Sequence, residues 1–237
     1  FGFGQQWPKP RSRLRCIAVP VESNPDETTV ATDGRPIGRR AMATRRRLLD
    51  ATRDLLARDG PFDLKLVDIT REINASPATF YQYFTDIDDA LLCLADDVEE
   101  SSGALLPLLK DPWRSEDDFS KARVFVDAYM HYWDMNGPVL RVRNLKAEEG
   151  ESAFRVKRSE SQFPLLEALA AMVDDSIKAG RIPSDANSIA RGAAMLAMLE
   201  RLTAYRDGLA SRGTGAEALA NTLTRILFQT ISGLTGE

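Results

Sequence analysis

The chain has 237 residues, 43% of them hydrophobic, and a net charge of −4. That is enough apolar material for one or two packed domains, and no apolar run reaches the 18 residues that a membrane span needs. A single histidine, His131, and two distant cysteines, Cys16 and Cys93, supply neither a metal set nor a Cys/His or Ser/His/Asp constellation. The cysteine usage suits a reduced, cytoplasmic compartment, and no metal or cofactor is expected.

The charge is uneven. Residues 35–84 hold ten basic side chains against six acidic ones, whereas residues 85–237 hold 17 against 25. A positive segment on an acidic protein is the footprint expected where phosphates would lie.

Residues 1–37 are rich in Gly, Pro, Asn and Asp with no sustained period, and are expected to be a disordered extension. An arginine-rich arm over 35–47 follows. It reads either as a phosphate- or minor-groove-binding arm or as a solvated lead-in to a helix. The first helix is expected from about Ala43 to Arg58, with Leu48, Leu49, Ala51, Thr52, Leu55 and Leu56 as its apolar stripe and Gly60–Pro61 as its stop. Phe62 would plug the gap beneath the next two helices.

Those two are written in KLVDITREINASPATFYQYF, residues 65–84. Leu66, Ile69 and Ile73 recur at helical spacing, Asn74 can turn the chain, and Ser76 with Pro77 opens a second short helix. Such a pair is a helix-turn-helix whose second helix can enter a DNA major groove, or a helical corner with a buried aromatic end.

Further on, Thr85 with Asp88 suggests a capped helix running toward Leu109. Ser115–Asp118 starts another, carrying Phe119, Val126, Tyr129, Met130 and Trp133 on one stripe up to a break at Gly137–Pro138. The stripe reads as core or as the wall of a ligand cavity. Arg141, Arg143 and Lys146 read as surface charge. A long helix follows over about 151–179. Then come a helix capped by Ser184, with a Met195–Met198–Leu202–Tyr205–Leu209 seam, and one capped by Thr214–Glu217, with Leu223, Leu227 and Ile231.

The run from Gly38 to Phe84, and above all SPATFYQYF, resembles the DNA-binding region of the TetR family of bacterial transcriptional repressors. The resemblance covers about residues 38–92, with Asn74 where the family usually has Gly and Ile87 where it commonly has a phosphate-gripping Lys. It implies an all-α fold: a helix-turn-helix domain over 38–84, then a helical-bundle ligand-binding and dimerisation domain over 85–237. It implies a homodimeric repressor on a near-palindromic operator, released by a small effector. The positions matching the contact surface are Lys65, Val67, Pro77, Ala78, Thr79, Tyr81, Gln82 and Tyr83, with Arg45 from the arm. Gln82 is the candidate for adenine, while Tyr83 and the arm arginines suit phosphates.

The family's cavity would be lined by Phe119, Val126, Tyr129, Met130, Trp133, Phe163, Met195 and Leu199. An all-apolar lining implies a neutral, lipophilic effector. The dimer seam would use Leu202, Leu209, Leu223, Leu227 and Ile231. The segments GPVLR (137–141) and MLERLTAY (198–205) also resemble the ethionamide-resistance-regulator branch, which implies a long, narrow pocket. The alternative to a repressor is a non-catalytic helical scaffold or protein-interaction module.

Overall fold

The computed structural model describes residues 38–236; the expected disordered extension over 1–37 lies outside them. The described residues are all-α. Helix α1 (Arg39–Asp59) packs on α2 (Leu66–Glu72), and α2 on α3 (Pro77–Tyr81). Leu48, Leu55, Ile69, Phe80 and Phe84 are each 2% exposed or less, so α1 and two helices too short to stand alone share one core. The turn between α2 and α3 needs a left-handed residue, and Asn74 supplies it with φ 55°. Ser76 then caps α3 through Thr79 N–H, with Pro77 at the first helical position. Phe62 does not plug this core: the turn after Gly60 carries it outward, 84% exposed.

Helix α4 (Ile87–Gly103) lies against α1 on one side and against α5 (Phe119–Glu148) and α6 (Ser152–Lys178) on the other. Its cap is Asp86, not Thr85: Asp86 accepts from Asp89 N–H, and the Asp89 carboxylate reaches back to Thr85 N–H and Oγ1. The helix stops at Gly103, before a 3-10 turn at Leu106–Leu109 that admits Pro107. The acidic start at Ser115–Asp118 forms a capping box leading into α5.

Helix α5 does not break at Gly137–Pro138 but runs unbroken to Glu148. Pro138 removes one hydrogen bond, to the Asp134 carbonyl. Beyond it Val139, Leu140 and Val142 are at most 2% exposed, and their burial holds the helical course. Helix α6 likewise accommodates Pro164.

Helix α7 (Ser188–Ala204) is capped by Asn187 through Ala190 N–H, three residues later than Ser184. It presses on α6 at Gly192, where an added Cβ would meet Leu166 Cδ1 at 3.0 Å and Leu166 O at 3.2 Å. The seam through Tyr205 is not one helix: α7 ends at Ala204 and a short α8 (Arg206–Ala210) follows. Helix α9 (Ala216–Ser232) starts at Gly215 without a side-chain cap. The Thr214–Glu217 box is absent because the helix starts one residue later, at the Gly215 cap, and Glu217 pairs with Arg123 of α5 at 2.8 Å.

Candidate DNA-binding surface and effector region

Around α3 the burial pattern separates support from display. Phe80 and Phe84 point inward, 5.2 Å between ring centroids. Lys65, Val67, Pro77, Ala78, Tyr81 and Gln82 are exposed and lie on or beside α2 and α3. Thr79 is half-buried with its hydroxyl on Ser76 Oγ, and Tyr83 is half-buried against the core. The surface therefore offers one amide, one phenol and several methyl-bearing groups, a set suited to base edges.

Arg45 does not belong to that surface. Its guanidinium lies 5.1 Å from the Phe84 centroid, and Nη2 is 3.0 Å from Cys93 Sγ. Burial pulls its pKa below the usual arginine value, against the pull of Asp89, Asp97 and Asp96. It is a packing residue, and its spacing of three and four from Leu48 and Leu49 already puts it on the buried stripe. Exposed basic groups at this end include Arg39 and Arg40 at the start of α1, with Lys65 and Arg71 beside α3. Arg47 donates to the Ile73 carbonyl at 3.0 Å, tying α1 to the turn before α3.

Helix α4 joins both halves by charge. Asp97 accepts from Arg53 at 3.2 Å and from Arg46 at 3.4 Å, both on α1. Its chain neighbour Asp96 faces the other way, 2.8 Å from Lys157 Nζ on α6, and Lys157 also reaches Glu99 at 3.3 Å. Burial alone would lower the Lys157 pKa, but Asp96 and Glu160 outweigh it and hold it raised. Lys146 of α5 meets Asp88 at 2.7 Å.

In the second half, Val126, Tyr129, Met130, Trp133, Met195 and Leu199 are all buried. Two other expected lining residues are elsewhere. Phe119 sits at the far end of α5 against Phe228, about 21 Å along the axis from Trp133. Phe163 is on the outer face of α6, 56% exposed, because Ser161 and Leu165 take the inward positions there.

The region is also less apolar than its stripe suggests. Arg143, expected at the surface, is 2% exposed. Its Nη1 donates to Ser161 Oγ at 2.7 Å, and Nε and Nη2 donate to Asn144 Oδ1 at 3.1 and 3.0 Å. Asn144 Nδ2 in turn donates to Glu200 Oε1 at 2.8 Å, and Gln162 Nε2 donates to Glu200 Oε2. Burial lowers the Arg143 pKa and pushes the Tyr132 hydroxyl beside it up to about 12. The expected all-apolar surroundings therefore include a buried, hydrogen-bonded guanidinium. The signal was in the spacing: continued past Pro138, the stripe Trp133–Gly137–Leu140 leads to Arg143. A reading that ends α5 at Gly137 hides it.

The dimer-seam residues divide. Leu202 and Leu209 are half-buried, but Leu223, Leu227 and Ile231 are 0–1% exposed inside the chain's own core, packed toward α5 and α6. They cannot meet a second copy. The outward apolar positions are Ile189 and Tyr205 at either end of the α7 region, Ala193 and Ala197 between them, and Ile226 on α9.

Two family models match this chain. Residues 108–237 match the tetracyclin repressor-like C-terminal domain, and residues 48–92 match the tetR family of bacterial regulatory proteins. The first spans more than half of the chain, and the chain belongs to the TetR family, whose members are transcriptional regulators and not enzymes. No curated protein matches it in sequence.

Solved structures share the fold. The regulator FadR from Bacillus subtilis, in complex with stearoyl-CoA, is 15% identical with TM-score 0.59, covering 80% of this chain and 98% of that one. The TetR-family regulator PfmR from Thermus thermophilus is 18% identical with TM-score 0.57, covering 79% and 98%. A TetR regulator from Haloarcula marismortui is 17% identical with TM-score 0.60, covering 81% and 98%. No helix among the described residues is long and apolar enough to cross a membrane.

Proposed function

We propose that the chain is a cytoplasmic, homodimeric repressor that binds a near-palindromic DNA operator and is released by a small, largely lipophilic effector. Its DNA-reading unit is taken as 38–84 and its effector and dimerisation unit as 85–237. The observation that carries the reading is the display of Pro77, Ala78, Tyr81 and Gln82 on a helix whose own aromatics, Phe80 and Phe84, are spent on its support. A helical scaffold has no need of an exposed, uncharged helix beside basic side chains. Two copies would place α3 in successive major grooves, about 34 Å apart. The similar FadR structure, which holds stearoyl-CoA, supports an effector with an apolar body.

Selection of genomic fragments by the purified protein tests this. A shared half-site should emerge, with affinity falling steeply as salt rises. Recovery of no sequence above background would favour the scaffold. The second copy would seat on the outward faces of α7 and α9. Ile226→Arg should therefore give monomers in sedimentation and abolish operator binding, while Ile189→Ser weakens both. Dimers that survive Ile226→Arg would rule out this face.

A further inference from the structure

Trp133, Asp134, Pro138 and Arg141 recur along one face of α5. The end of α7 and the start of α8 add Thr203, Arg206 and Asp207, and together these line a pocket of about 220 Å³ that opens to solvent. Sites for drug-sized ligands run to roughly 300–1,000 Å³, so an occupant here is a small molecule.

Two polar groups of the lining lack their ordinary partners. Thr203 is 3% exposed, and its hydroxyl has no hydrogen-bond partner among the described residues. Every other buried Ser or Thr there turns its hydroxyl onto a carbonyl three or four residues back in its own helix. Thr203 does not, and an orphaned buried hydroxyl in a pocket wall calls for a partner from outside the chain. On α5, Pro138 brings no N–H to the Asp134 carbonyl one turn back, so that acceptor loses its usual helical donor. The charges do not cancel in place either. Asp134 and Arg206 pair with each other. Arg141 gives Nη2 to the Ala204 carbonyl at 3.1 Å but meets no carboxylate among the described residues, and Asp207 meets no cation there. One cation and one anion are left over in the same pocket.

The geometry points to a site for a small zwitterion of the free amino-acid class: its carboxylate on Arg141, its ammonium on Asp207, and its side chain against Trp133 and Pro138. An ammonium carries three donors, and the pocket holds three acceptors for them in the Asp207 carboxylate, the Asp134 carbonyl and the Thr203 hydroxyl. A carboxylate offers the guanidinium charge-assisted acceptors in place of water. A ligand with a single charge would engage only one of the two unpaired side chains. The site goes beyond the repressor reading and does not depend on it, since binding is read without DNA.

The test is calorimetry on the full-length protein with L-alanine and L-leucine, each beside its N-acetyl form, which lacks the ammonium, and its amide, which lacks the carboxylate. The free amino acid should bind at least about tenfold tighter than either capped form, as two charge-assisted contacts require. Arg141→Met should erase the preference over the amide, and Asp207→Asn the preference over the N-acetyl form. Asp207 is exposed, so its variant keeps the fold even where loss of the Arg141 bond to α7 disturbs it. Thr203→Val removes the orphaned oxygen: the free protein should melt no lower than wild type while amino-acid affinity falls. Failure of both amino acids to bind, equal binding of a capped form, or a preference that outlives the matching folded variant overturns the proposal.

Discussion

Arg45 and Arg143 are both drawn out of water, one by an aromatic ring and a sulfur, the other by amides and hydroxyls. Both lie where a charge census alone would put a solvent-facing cation, and in both cases the neighbours three and four positions away decide otherwise. Arg45→Ala should lower stability by about 1–2 kcal/mol, through the lost ring contact and stem packing. Its effect on DNA affinity should follow from unfolding. Arg40→Ala should leave the melting temperature unchanged and weaken all DNA sequences together, flattening the salt slope. Melting and mobility-shift curves on the two variants separate the roles; an Arg45→Ala protein of full stability and reduced affinity would return Arg45 to the DNA surface.

Asp118 adds a pH signature. Lys121, 2.7 Å away, and then the backbone N–H groups of Arg114 and Ser115 hold its pKa down to about 2, against a smaller desolvation effect. A depressed carboxylate stabilises the fold above its unfolded pKa, near 3.9, and loses that contribution as pH falls through the folded value. Asp118→Asn should therefore be less stable than wild type at neutral pH, with the gap closing between about pH 4 and pH 2. A gap constant over that window in acid titration would remove Asp118 from the account.

At the scale of elements, the short DNA-reading helices were the most legible, because their determinants are local: Asn74 for the turn, Ser76 for the cap, Pro77 for the first position. Where a distant group competes, local signals fail. Glu217 matches a capping box by spacing but is taken by Arg123, and α9 opens uncapped. Pro138 is a strong local stop that tertiary burial overrides. The α9 stripe is apolar and buried, but periodicity says only that a face is covered and not by which chain. Helices α6 and α7 approach tightly at Gly192, a position no pattern singles out. Gly192→Val should force the helices apart and cost about 1–3 kcal/mol by overpacking. Thermal unfolding no lower than wild type would show that Leu166 simply swings aside.

Across the whole molecule, α4 is the one helix among the described residues bonded by charge to α1, α5 and α6 at once. Lys157→Met removes its hold on Asp96 and Glu99 while leaving both the DNA-reading surface and the pocket untouched. The expected outcome is a protein that still binds operator and effector but releases DNA less readily, with a coupling change of about 0.5–2 kcal/mol. Measuring operator affinity with and without saturating effector reads the coupling directly. An unchanged ratio would assign transmission to the Lys146–Asp88 pair or to apolar packing.

Asp96 and Asp97 sit next to each other in the chain, so their side chains leave α4 about 100° apart around its axis. One grips the effector half and the other grips α1. A roll of α4 would therefore move both grips together, as one cam drives two followers. On the proposed repressor reading, a turn of α4 about its own axis, with no sliding or bending, is the motion that would act on both halves at once.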